Sequence, residues 1–91
     1  MRLAWTGKAA SDLARLHAFL AEVNPRAAAR IARELVTTPK RLLETPRLGE
    51  RLEEFSPREV RRLIIRGYEL RYELTETGIF VLRLWHTLED R

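Results

Sequence analysis

The spacing of apolar residues divides the chain into a helical first half and a strand-forming second half. Met1–Trp5 is short and mostly apolar and predicts a first strand. Thr6 stands before a helix-favouring stretch, so it predicts an N-cap and a helix from about Gly7 to Glu22. Ala9, Leu13, Leu16, Leu20 and Val23 fall in one arc of that helix, with Lys8, Asp12, Arg15 and Glu22 outside it. Asn24-Pro25 ends this helix and starts a second, with Asn24 as N-cap and Pro25 at the first helical position. So tight a joint makes the two helices an antiparallel αα-hairpin. The second helix is expected from Pro25 to about Glu44, broken or kinked near Pro39, with Ala28, Ile31, Leu35 and Leu42 as its buried stripe.

After loops at Thr45–Gly49 and Ser56-Pro57, the period changes from helical to alternating. Val60–Arg66 and Tyr68–Leu74 predict two strands joined at Arg66-Gly67. In the second of these, Tyr68, Leu70, Tyr72 and Leu74 share one face and Glu69, Arg71 and Glu73 the other. A further strand, Ile79–His86, follows a turn around Thr75–Gly78. Strict alternation puts Phe80, Leu82, Leu84 and His86 toward the core and Ile79, Val81, Arg83 and Trp85 outside. The matching register sets Leu74 opposite Gly78, Tyr72 opposite Phe80 and Leu70 opposite Leu82. A slip by one would turn Arg83 inward without a partner. The expected fold is α+β: a single domain over residues 1–91, β-α-α-β-β-β, with a helical hairpin packed on a small, mostly antiparallel sheet.

Composition narrows the function classes. A chain of 91 residues has room for one core only. Without Cys there is no disulfide framework, thiolate zinc site or thiol nucleophile. Met1–Trp5 lacks the apolar core of a secretory leader and no apolar run approaches membrane-spanning length, so a cytoplasmic chain with no membrane contact is expected. The net charge is +4, and the whole excess lies in residues 1–45, since residues 46–91 carry nine cations and nine acids. Arg26, Arg30, Arg33, Lys40 and Arg41 gather within roughly 100° of the second helix. They are either a solvated helix face or a contact for nucleic acid or an acidic partner.

The outer sheet face is the other candidate surface. Trp85 and Val81 there accompany Arg71, Arg83 and Glu69, with no predicted element left to cover them, a composition suited to an interface. The alternative is that Trp85 folds back over the core edge. His86, at a strand end beside Leu84, is either a general acid or base or a hydrogen-bonded rim histidine. His17 lies in the apolar arc of the first helix and is expected to be packed or at its boundary. Two histidines on separate elements, with no acidic cluster between them, offer no metal-site spacing, and no metal or other cofactor is expected.

The element order resembles the RelE/ParE toxin superfamily of type II toxin–antitoxin modules. The resemblance rests on Trp5-Thr6, Pro46-Arg47-Leu48-Gly49, Arg61-Arg62-Leu63-Ile64-Ile65-Arg66-Gly67-Tyr68 and Arg83-Leu84-Trp85-His86, and is closest to ParE-like members. It implies a growth-inhibiting toxin neutralised by a small ParD- or RelB-like antitoxin in a hetero-oligomer, for which Glu69, Arg71, Val81, Arg83 and Trp85 are the expected contacts. ParE-like relatives imply action on DNA gyrase without a catalytic centre. RelE-like relatives imply a metal-independent, ribosome-dependent mRNA endonuclease, in which a base activates the ribose 2′-hydroxyl and cations stabilise the phosphate.

Carried onto this chain, the RelE arginine after the Gly-Tyr pair falls on Glu69, with Arg71 two residues on. Arg62 partly matches the basic pair of the preceding strand, the arginine after the last strand falls near Thr87, and the terminal tyrosine has no counterpart. The catalytic set therefore points away from the nuclease. If the chain is one, His86 with Arg71, Arg83 and Arg91 would carry the chemistry. A non-toxic relative that retains only antitoxin binding is the third reading.

Overall fold

The computed structural model describes residues 1–89. Strand β1 (Arg2–Trp5) leads into helix α1 (Gly7–Val23) and helix α2 (Pro25–Thr37). A 3₁₀ helix over Thr38–Leu43 follows, then the two-residue strand β2 (Glu50–Arg51) and a 3₁₀ turn at Glu53–Phe55. Strands β3 (Glu59–Ile65), β4 (Tyr68–Leu74) and β5 (Gly78–His86) complete the fold. The sheet order is β1-β5-β4-β3-β2, with β1 parallel to β5 and the other pairs antiparallel. The α+β architecture is as expected, with β2 added between the predicted Thr45–Gly49 loop and the Ser56-Pro57 break, where no element was expected.

Local signals explain most boundaries. The Thr6 hydroxyl accepts the Ala9 N–H at 3.1 Å, and Asn24 Oδ1 accepts the Ala27 N–H at 3.1 Å ahead of Pro25. These side chains satisfy amides that the first turn of each helix leaves unbonded. Pro39 has no N–H to donate, and regular α-helix stops at Thr37. The tighter 3₁₀ winding still buries Pro39 and Leu42. At Arg66-Gly67 both residues have positive φ, 50° and 80°, the backbone sign of the two-residue turn that matches strand twist.

The core lies between helices and sheet: Ala9, Leu16, Leu35, Leu42, Tyr68, Leu70, Tyr72, Ile79, Val81 and Leu84 are buried there, with Leu3 and Trp5 packed against them. Each fully buried leucine contributes about 1.5–3 kcal/mol relative to exposure. Tyr72 also ties down the loop before β2, since its hydroxyl donates to the Pro46 carbonyl at 2.8 Å and accepts the Gly49 N–H at 2.9 Å. A Cβ on Gly49 would lie 2.5 Å from the Arg62 carbonyl oxygen, so only glycine fits this approach.

The strand register departs from strict alternation. Tyr72 pairs with Val81 and Arg71 with Arg83, leaving Leu82 as an extra residue in a β-bulge. The bulge switches the inward parity of β5. Before it Ile79 and Val81 point inward, opposite Leu74 and Tyr72; after it Leu84 and His86 do, opposite Leu70 and Tyr68. Leu74 thus meets Ile79 rather than Gly78, Tyr72 meets Val81 rather than Phe80, and Leu70 meets Leu84 rather than Leu82. Phe80 moves to the outer face opposite Glu73. Arg83 and Trp85 keep their outward placement, because past the bulge the pairing is displaced by two residues.

Helix α1 brings three more corrections. Val23 is exposed at its C-terminal end, and His17 is exposed rather than packed. Asp12, expected outside the apolar arc, is buried. Beyond these, no described helix is long and apolar enough to cross a membrane.

Candidate functional site

On the outer sheet face, neighbouring strands place Arg62 and Arg71 in register, with Glu69 opposite both Ile64 and Trp85. Glu69 is 1% exposed. Its carboxylate takes a hydrogen bond from Arg71 at 3.0 Å and a longer one from Arg62 at 3.5 Å. The Arg71 guanidinium stacks 4.7 Å from the Trp85 ring and 5.3 Å from the Phe55 ring, and the Arg83 guanidinium lies 4.9 Å from the Trp85 ring. Each stack is a cation–π contact favoured by the ring quadrupole. The short 3₁₀ turn before β3, missed by periodicity, carries Phe55 onto this face.

Strand β1 ends at Trp5, opposite Val81, so the edge of β5 beyond that point has no strand partner. Side chains replace it. The Thr6 hydroxyl donates to the Leu82 carbonyl at 3.1 Å, Asp12 accepts the Leu84 N–H at 2.9 Å, and Glu89 accepts the His86 N–H at 2.8 Å. Arg83 turns round the edge to meet Asp12 at 2.8 Å, and Arg15 reaches both Asp12 and Glu89. Burial opposes ionisation of Asp12, yet hydrogen bonds from Arg83 and the Leu84 N–H, with the charges of Arg83 and Arg15, hold its carboxyl below the usual range. Burial likewise opposes ionisation of Glu89, and Arg15 with the His86 N–H prevails. Asp12 sits roughly 40° from Leu16 round the helix, close enough to the apolar arc for its burial to have been foreseen.

His86 faces the helical layer at the sheet rim, its ring edge-to-face with Tyr68 at 5.0 Å. Its Nδ1 accepts the Leu88 N–H at 3.1 Å. Together with Leu16, Phe19, Leu20, Tyr68 and Leu88 it lines an open apolar groove of about 520 Å³, flanked by Arg15 and Glu89. Phe19 is 67% exposed and Leu88 87% exposed along it. Burial raises the Tyr68 hydroxyl above its ordinary pKa, with the Glu89 charge adding to the shift. Neither Phe19 nor Leu88 was singled out by periodicity; an aromatic on the polar flank of α1 was the available signal.

The residues proposed for chemistry do not converge. Arg71 lies on the sheet face opposite His86, held by Glu69, and Arg83 is held at the edge by Asp12. Arg91 lies outside the described residues. Of the five residues expected to meet an antitoxin, Arg71, Arg83 and Trp85 are part-exposed. Val81 is fully buried because the bulge turns it inward, and Glu69 is buried because two arginines and the Trp85 strand close over it. Arg26, Arg30, Arg33, Lys40 and Arg41 are all exposed. The 3₁₀ winding turns about 120° per residue, which keeps Lys40 near the line of the α2 arginines and swings Arg41 roughly a third of a turn away. Among the described residues no group of His, Asp or Glu is placed to hold a metal.

Comparison with known proteins supplies the family. Residues 3–91 match the family model described as the ParE toxin of the type II toxin–antitoxin system, parDE. Toxin RelE1 of Caulobacter vibrioides is 35% identical over 85 residues, covering 92% of this chain and 90% of the relative. Toxin RelE2 of the same organism is 29% identical over 85 residues, covering 93% of each. A solved structure titled as a chromosomal ParDE TA system from P. aeruginosa superposes with a TM-score of 0.80 at 25% identity, covering 94% of this chain and 95% of that one.

Proposed function

Because this chain belongs to the ParE toxin family of type II toxin–antitoxin systems, we propose that it inhibits growth by acting on DNA gyrase until a cognate antitoxin neutralises it. The observation that carries the gyrase reading is the dispersal of the nuclease candidates. A metal-independent ribonuclease needs a base and phosphate-binding cations around one phosphate. Here His86 and Arg71 stand on opposite faces of the sheet, and the candidate cations Arg71 and Arg83 are already paired with Glu69 and Asp12. A gyrase poison needs no such constellation. Purified chain added in excess to gyrase should block supercoiling and accumulate cleaved DNA; unchanged supercoiling and cleavage would sink the reading.

The antitoxin contact is best supported at the apolar groove beside α1, where Phe19 and Leu88 expose large side chains next to the charged pair Arg15 and Glu89. Trp85 with Arg71 and Arg83 forms a second, smaller contact. Phe19→Asp should abolish co-purification with the antitoxin, and Trp85→Ala should weaken it. Both partners act in the cytoplasm, where we place the chain.

The names of the relatives favour a second reading, ribosome-dependent mRNA cleavage through His86. Primer extension on translated mRNA after induction decides it: cuts that vanish in His86→Ala would replace the gyrase reading. Normal growth on induction without antitoxin would instead mark a relative that has kept only antitoxin binding.

A further inference from the structure

The cations of this chain are sorted by position. In the second half Arg47, Arg51, Arg58, Arg61, Arg62, Arg66, Arg71 and Arg83 each have a carboxylate within ion-pair distance. Along α2 the acid Glu34 is taken by Arg66, and Arg26, Arg30, Arg33 and Lys40 have no carboxylate partner among the described residues. At 100° per residue Arg26, Arg30 and Arg33 lie within roughly 60° of one another, and Lys40 continues the line through the 3₁₀ turn. The row spans about 22 Å, from 1.5 Å per α residue and 2.0 Å per 3₁₀ residue.

We infer that this row is a docking surface for the backbone of double-stranded DNA, independent of base sequence. Charge complementarity selects a polyanion: among the described residues Arg2, Lys8 and Arg41 also lack a carboxylate, but Arg26, Arg30, Arg33 and Lys40 are the unneutralised cations that fall in one row. The chemistry of the row narrows the choice. The centres of protein interfaces are enriched in Trp and Tyr, and single-strand sites stack bases on aromatic rings. Neither α2 nor the 3₁₀ helix that follows contains an aromatic residue. The B-form major groove admits a helix, whereas the narrow major groove of A-form RNA does not admit its side chains. The inference stands whether or not gyrase is the target, because it concerns the free chain and DNA alone.

The test is fluorescence anisotropy of a labelled 20-base-pair duplex of arbitrary sequence with the full 91-residue chain. Four phosphate contacts predict that affinity falls about 150-fold between 50 and 200 mM salt, from a slope of about 0.9 per contact. Arg26→Gln/Arg30→Gln/Arg33→Gln leaves one contact and should bring that fall to about 3.5-fold, with affinity at 50 mM reduced more than about 10-fold. Arg26→Lys/Arg30→Lys/Arg33→Lys keeps the charges and should bind within a few-fold of the original. Arg47→Gln/Arg58→Gln, removing paired cations, should leave the salt slope unchanged. The proposal is overturned if the paired-site variant loses as much as the stripe variant, if binding shows no salt slope, or if duplex RNA, single-stranded DNA or an acidic peptide of equal charge binds more tightly. Thermal melts of each variant establish that the loss is not unfolding.

Discussion

On the outer sheet face Arg62, Arg71 and Arg83 each meet a carboxylate, whereas on α2 Arg26, Arg30 and Arg33 meet none among the described residues. The side chains are chemically alike, and their settings give them opposite roles. Around Glu69 and Asp12, burial makes each charge a structural obligation, since removing one partner strands the other. On α2 the guanidiniums stand in water, cost the fold little and remain available. Net charge alone hides this division. The half of the chain that is neutral in sum contains the tightly paired arginines, and the half that carries the +4 contains the unpaired ones.

The largest effect should come from Glu69→Gln. The side chain is 2% exposed and holds Arg71 at 3.0 Å. Removing one member of a buried pair costs about 3–5 kcal/mol, and the partial exposure of Arg71 brings the expectation to the lower end, about 3 kcal/mol. Urea unfolding measures it. A loss below about 1 kcal/mol would mean that the sheet charges are as dispensable as those of α2.

Asp12→Asn should cost about 2 kcal/mol at neutral pH, because it weakens the link to Arg83 and to the Leu84 N–H at the open edge of β5. The pH dependence has a definite sign. The folded carboxyl of Asp12 is lowered from 3.8, so its stabilisation is complete above that value and lost as pH falls through the folded pKa. Glu89, held down by Arg15 and the His86 N–H against the opposing effect of burial, adds to the same acid limb. The variant should therefore unfold with a shallower acid limb than the original chain, and an unaltered limb would exclude Asp12 from it.

These features differ in how far they can be seen along the chain. Caps at Thr6 and Asn24, the Pro39 break and the Tyr68–Leu74 strand all depend on neighbours in sequence, and each stands where its residues predict. The bulge at Leu82 does not. It is a relation between β5 and β4, located where β1 ends, and no residue in Ile79–His86 announces it. Inverting the parity there moved Val81 from an expected contact into the core. Asp12 was misread because its partner Arg83 lies 71 residues away. Glu69 was misread for a different reason, since Arg71 and Arg62 lie only 2 and 7 residues away and its burial comes from strand pairing on both sides, opposite Ile64 and Trp85. Arg26, Arg30 and Arg33 were legible as a row because helical periodicity alone places them, whereas the 3₁₀ winding after Thr37 takes Arg41 off the expected line.

Trp85→Ala tests whether the cation–π ladder belongs to the structural set. Losing two stacked guanidiniums should cost about 1–2 kcal/mol in thermal or urea unfolding. The effect should persist at 1 M salt, where exposed charges are screened within about 3 Å. A loss that disappears in salt would place Arg71 and Arg83 with the solvated arginines instead.

The smallest effect should have the opposite sign. Arg30 lies four residues after Arg26 and three before Arg33, so it faces two like charges on an exposed helix surface. Such pairs destabilise a helix slightly, and Gln has nearly the same helix propensity as Arg. Arg30→Gln should therefore raise Tm by about 2–3 °C at low salt, the shift expected for a few tenths of a kcal/mol in a domain of this size. At 1 M salt the gain should vanish, because the repulsion it relieves is already screened. Differential scanning calorimetry at the two salt concentrations gives the answer. A decrease in Tm would mean that Arg30 is held by the fold after all, and the contrast between the two arginine sets would fail at its most exposed member.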